Sequence, residues 1–200
     1  MRIGFLASGR GSNMQAVISA CESGVVNAVP AVLISNNSSS GAIEYAKSRN
    51  IPSYHLSSLT HPMSEDLDRA MLDTFVSHKA DLIMCVGYMK KLGPATLKHY
   101  RSRILNIHPA LLPKFGGQGM YGMNVHRAVM DSGEKITGVT IHIVTEEYDS
   151  GPILAQAKVP VEEGDTAESL AARVLKREHS FIVETLQRIV SGDIALPSME

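Results

Sequence analysis

The sequence predicts an α/β fold: a mostly parallel sheet flanked by helices, with an antiparallel strand in the C-terminal half. Three observations carry this. Short apolar, β-branched runs alternate with helical patterns, as in strands joined by helical crossovers. Residues 81–89 (DLIMCVGYM) are apolar almost throughout, as a central strand covered on both faces must be. Two later strand-like runs, 136–146 and 153–161, are joined by the turn sequence EYDSGP and pair through it.

In chain order, residues 2–8 (RIGFLAS) read as the first strand and 12–23 as the helix after it. A second strand, 28–36, precedes a helix at 40–50, and 52–56 is a weak strand. Residues 64–78 (SEDLDRAMLDTFVSH) form an amphipathic helix for which Ser64 is the expected N-cap. After the run at 81–89 come a short helix near 94–100 and the strand 102–109 (SRILNIHP). Residues 113–123 (PKFGGQGMYGM) hold four glycines and read as a mobile loop. A helix at 124–132 and the two paired strands follow, and residues 166–192 close the chain as one long amphipathic helix stopped by Gly192. No repeat or composition break divides the chain, so a single domain over 1–200 is expected.

Composition narrows the function. With 44% hydrophobic and 20% charged residues the chain reads as an ordinary soluble protein. Its 19 basic side chains balance 20 acidic ones with no long basic tract, so neither nucleic acid nor a membrane surface is an expected partner. The start lacks a signal-like apolar region, and the expected location is cytoplasmic. Cys21 and Cys85 make no disulfide framework and read as small core residues. His108, His126 and His142 lack the spacing of a zinc site, so no metal is expected.

Three stretches carry chemistry. The loop SGRGSN (8–13) lies between a strand and a helix, where backbone N–H groups and the helix N-terminus favour a phosphate. Met14 stands where a dinucleotide fingerprint has its third glycine, and no acid ends the second strand. A ligand-free capped turn is the other reading. Asn106 and His108 sit two apart at a strand end, so both point to one side of the sheet. A neutral amide donor beside a titratable ring suits an oxyanion and a moving proton, although a structural histidine fits as well. Asp149, in the turn EYDSGP, could orient an imidazole and favour its protonated form, or serve only as an Asx-turn residue. His142 shares a strand face with Thr140.

Together SGRGSN, LNIHPALLPKF, TGVTIHIV, DSGPIL with QAKVPV, and the late EH pair resemble the folate-dependent phosphoribosylglycinamide formyltransferases. The resemblance runs from residue 1 to about 190. It implies a formyltransferase-type, Rossmann-like sheet and transfer of the formyl group of 10-formyltetrahydrofolate, the co-substrate, to the amine of 5-phosphoribosylglycinamide. Gly11, Ser12 and Asn13 would hold the ribonucleotide phosphate and Glu178 its ribose. The folate would lie against Met89, Lys90, Lys91 and Leu92, and against Asn106, Thr145, Glu146, Glu147, Tyr148 and Asp149. Asn106, His108 and Asp149 would be catalytic, with His108 protonated and held so by Asp149. A monomer or homodimer is expected. Many relatives have an arginine on the folate tail where this chain has Ser64, so Lys90 or Lys91 would take over that contact. The loop after Pro113 is longer than in compact members and would act as a lid or clamp on the ribonucleotide side. Rival readings are a formyltetrahydrofolate hydrolase, a methionyl-tRNA formyltransferase or a Rossmann-type nucleotide-binding protein.

Overall fold

The computed structural model describes residues 1–198. Its elements follow the expected order: β1 (Arg2–Ala7), α1 (Ser12–Glu22), β2 (Val29–Ser35), α2 (Gly41–Ser48), β3 (Ser53–His55), α3 (Ser64–Ser77), β4 (Leu82–Cys85) and α4 (Pro94–His99). Then come β5 (Ile104–His108), α5 (Met123–Asp131), β6 (Ile136–Ile143), β7 (Ile153–Pro160) and α6 (Ala167–Ser191). The seven strands form one sheet in the order β3-β2-β1-β4-β5-β6-β7. Pairings from β3 to β5 are parallel, while β6 runs antiparallel to both β5 and β7.

Strand alternation sends each face into its own core. Ile3, Phe5 and Ala7 of β1, with Leu82 and Met84 of β4, pack beneath α1, α2 and α6. Leu6, Ile83 and Cys85 face Met71 and Phe75 of α3. Burial holds the Cys85 thiol up at about 12, so it stays protonated and apolar. Gly4 leaves the space that the Phe75 ring fills, since a Cβ there would overlap that ring. No helix among the described residues is long and apolar enough to cross a membrane.

Two expectations are corrected. Ser64 is the first residue of α3 rather than its cap; Met63 takes the cap position with no side-chain hydrogen bond. Glu65 and Asp66 in the first turn meet the helix dipole instead. The apolar run at 81–89 is strand only over Leu82–Cys85. Gly87, at φ 80°, turns the chain away, and Val86 N–H and Gly87 C=O bond to Leu6 and Ser8. The apolar run thus continues as a loop over the sheet edge.

That loop is anchored from below. Asp68 of α3 is buried and accepts from Ala95 N (2.7 Å), Thr96 N (3.0 Å) and Thr96 Oγ1 (2.6 Å), capping α4 from a neighbouring helix. Asp68→Ala orphans these donors and is expected to cost about 2 kcal/mol. Urea unfolding checks this; an unchanged midpoint would mean that α4 is held by other contacts.

Candidate active site

The strand order reverses beside β1, and the loops after β1, β4 and β5 meet there at the carboxyl edge of the sheet, where such folds bind ligands. A cleft of about 590 Å³ opens at this edge, within the range of small-molecule sites. Its walls combine the β4–α4 loop, the end of β5, the glycine loop 117–122, the β6–β7 turn and one side of α6.

Asn106, His108 and Asp149 line this one cleft. His108 is buried, its Nε2 donating to the Phe115 carbonyl at 2.8 Å and its Nδ1 lying 3.6 Å from Asp149 Oδ2. The carboxylate also accepts from Gly117 N (2.9 Å), and its Oδ1 lies 3.4 Å from His142 Nε2. Asp149 adopts φ 54°, a conformation that Asp tolerates better than most side chains. Burial pushes its carboxyl up, but the hydrogen bond from His142, the nearby His108 and the Gly117 N–H outweigh it and hold the group below the ordinary value.

Opposing influences act on the His108 ring. Burial lowers its pKa most; Asp149 and the Phe115 carbonyl pull upward, and His142 adds a further lowering. The net direction is down. Asp149 raises this pKa as the turn sequence implies, while the depth of burial that outweighs it is set by the packed fold.

In the same cleft, Asn13 Nδ2 donates to Glu178 Oε2 at 2.6 Å while Asn13 Oδ1 is buried without a partner among the described residues. Burial drives the Glu178 carboxyl up to about 7, with Asn13 pulling weakly the other way. Asn13 lines the cleft; Gly11 and Ser12 are not among its walls but set the N-terminus of α1 beside it. Gly11 is the cap at φ 72°, and a Cβ there would crowd Ala42, so position and neighbour both require glycine. Since no side chain caps α1, the first N–H groups of the helix remain free for an anion.

A raised pKa on an acid favours the neutral folded form. Folding therefore carries no penalty at pH values below about 4.5, an increasing one as pH rises toward about 7, and the full one above that. Glu178→Gln is expected to stabilise the protein by about 2–3 kcal/mol at alkaline pH and by nothing in acid. Urea unfolding at both pH values checks this, and a difference independent of pH would refute it.

Met89, Lys90, Lys91 and Leu92 form one cleft wall, and Thr145, Glu146, Glu147 and Tyr148 another. Lys91 spans them, 3.8 Å from Glu147 Oε2 and 5.2 Å from the centre of the Tyr148 ring. Ser64 lies outside these walls while both lysines lie within them.

Four contributors carry no sequence signal of their own. The strand pattern places His142 on a face with Thr140, and only the cross-strand register that sets it opposite Asn106 brings it to Asp149. Phe115 and Gly117 act through backbone groups, which no side-chain motif reports. Ser8 clamps the edge by donating to Asn36 Oδ1 (2.6 Å) and accepting from Met89 N (2.9 Å).

The chain matches the Formyl transferase family model over residues 1–186. It is 41% identical to the chloroplastic phosphoribosylglycinamide formyltransferase of Arabidopsis thaliana over 94% of its own length, and spans 65% of that protein. It is 36% identical to the phosphoribosylglycinamide formyltransferase of Escherichia coli (strain K12), covering 98% of this chain and 90% of that one. The crystal structure of glycinamide ribonucleotide transformylase 1 from Symbiobacterium toebii matches with a TM-score of 0.91 at 35% identity, over 100% of this chain and 92% of that one.

Proposed function

The chain belongs to the formyl transferase family, and from that premise we propose that it moves the formyl group of 10-formyltetrahydrofolate to the amine of 5-phosphoribosylglycinamide, a step of purine biosynthesis. One observation carries the reading: Asn106, His108 and Asp149 meet in a single cleft that also holds the Asn13–Glu178 pair.

The amine attacks the formyl carbon and forms a tetrahedral centre bearing an oxyanion. A side-chain N–H of Asn106 stabilises that oxygen. His108 takes the proton that the amine loses. The imidazolium so formed is held by Asp149 at 3.6 Å and returns the proton to the departing folate nitrogen. No covalent enzyme intermediate is needed. The apolar floor of Ile107, Leu92 and Val144 suits a flat heterocycle, and the free N–H groups at the start of α1 suit a phosphate monoester. The glycine loop 117–122 covers the ribonucleotide side. Both substrates are small molecules, and nucleic acid and membrane play no part on this reading.

The test is the reaction itself. Purified protein should formylate 5-phosphoribosylglycinamide with stoichiometric loss of 10-formyltetrahydrofolate. Formate released without formylated product would make it a hydrolase; no turnover, with binding of a dinucleotide, would make it a nucleotide-binding protein.

A further inference from the structure

We infer that His142 is a positioning residue that turns the Asn106 amide toward the reacting carbonyl. His142 stands directly opposite Asn106 across the β5–β6 pair, with its Nε2 3.1 Å from the amide nitrogen of Asn106 as drawn. The same Nε2 is 3.4 Å from Asp149 Oδ1, and Nδ1 is 3.0 Å from the Ile143 carbonyl. The ring is 3% exposed, so water does not complete its hydrogen bonds.

The partners decide where the hydrogens go. An ionised carboxylate and a backbone carbonyl only accept, so both nitrogens of His142 face acceptors. A bare Nε2 would set its lone pair against Asp149 Oδ1 and would use up one N–H of Asn106. A hydrogen on Nε2 removes both conflicts once the Asn106 amide makes a half-turn. Asn106 Oδ1 then accepts from His142, and both hydrogens of its Nδ2 are released toward the cleft. The charged and titratable groups facing this ring are Asp149, from the β6–β7 turn, and His108, from β5.

The role rests on the formyl-transfer reading, and the experiment separates the two. Nitrogen-15 NMR of the imidazoles in the wild-type protein should show a hydrogen on Nε2 of His142. A bare Nε2 would overturn the inference whatever the protein's activity. In kinetics, His142→Phe should lower kcat by about 10–100-fold with KM for both substrates unchanged. Asn106→Ala, costing about 10²–10³-fold on its own, should cost less than about 10-fold in the His142→Phe background. Equal costs in the two backgrounds would overturn the coupling. If His142→Phe fails to fold, the wild-type spectrum still decides. A wild-type protein with no transferase activity overturns the reaction and with it the catalytic use of Asn106, an outcome that the spectrum does not produce.

Discussion

His108→Ala is expected to lower kcat by about 10²–10⁴-fold, the usual worth of a positioned acid–base group. KM for either substrate should change little. The ring is buried behind the Phe115 carbonyl and the Asp149 carboxylate, so it contributes little area that a bound substrate would miss. Stability should fall as well, because the substitution leaves Phe115 O without its donor and opens a void. Thermal unfolding measured alongside kinetics separates the effects, provided that rates are taken below the variant's transition. The wild-type pH profile gives an independent check. Since the net shift of the His108 pKa is downward, the acid limb of kcat/KM should have its midpoint below the ordinary histidine value near 6.5. Activity is present above that midpoint and lost as pH falls through it. A limb centred above 6.5 would mean that Asp149 outweighs burial and that His108 starts protonated. A kcat for His108→Ala within 10-fold of wild type would remove His108 from the chemistry.

How much of this site was legible in the sequence depends on which physical level carries each part. Asn106 and His108 could be read because a strand has a period of two and Pro109 marks its end. The parallel half of the sheet could be read because each strand is followed by its own helix. The remainder depends on relations between distant segments. That His142 lies opposite Asn106 is a matter of register, set by the way β6 returns antiparallel along β5. That the His108 pKa is lowered follows from burial, which sums over every element packed around the ring. Ser64 misled for a local reason: it is a good capping residue, but Met63 takes the position one residue earlier. The run at 81–89 misled because apolar character continues past the strand end into a loop that is itself tied to β1.

Asp149→Asn is expected to lower kcat by about 10³-fold with the fold retained. Asn matches the carboxylate in volume and also tolerates the left-handed backbone at φ 54°. Its side-chain oxygen can keep the bond from Gly117 N–H at 2.9 Å, which directs its amide nitrogen toward His142. Two donors then face each other where a carboxylate now accepts. The imidazolium that forms on His108 also loses the charge that stabilises it in the transition state. Without the upward pull of Asp149, the acid limb assigned to His108 should move to lower pH. Asp149→Ala should do more: it releases Gly117 as well, so the glycine loop loses its tie to the β6–β7 turn and KM should rise along with the fall in kcat. The folding linkage has a defined sign. The Asp149 carboxyl is held below its ordinary value near 3.8, so the stability it contributes is present above that pH and is lost as pH falls through the folded value. The stability gap between wild type and Asp149→Asn should therefore be widest at neutral pH and close in acid. Urea unfolding at neutral and acidic pH, run beside the kinetics, tests both halves. A variant with near-normal kcat would show that the carboxylate serves only to anchor the loop, and a pH-independent stability gap would show that its charge is not what the fold uses.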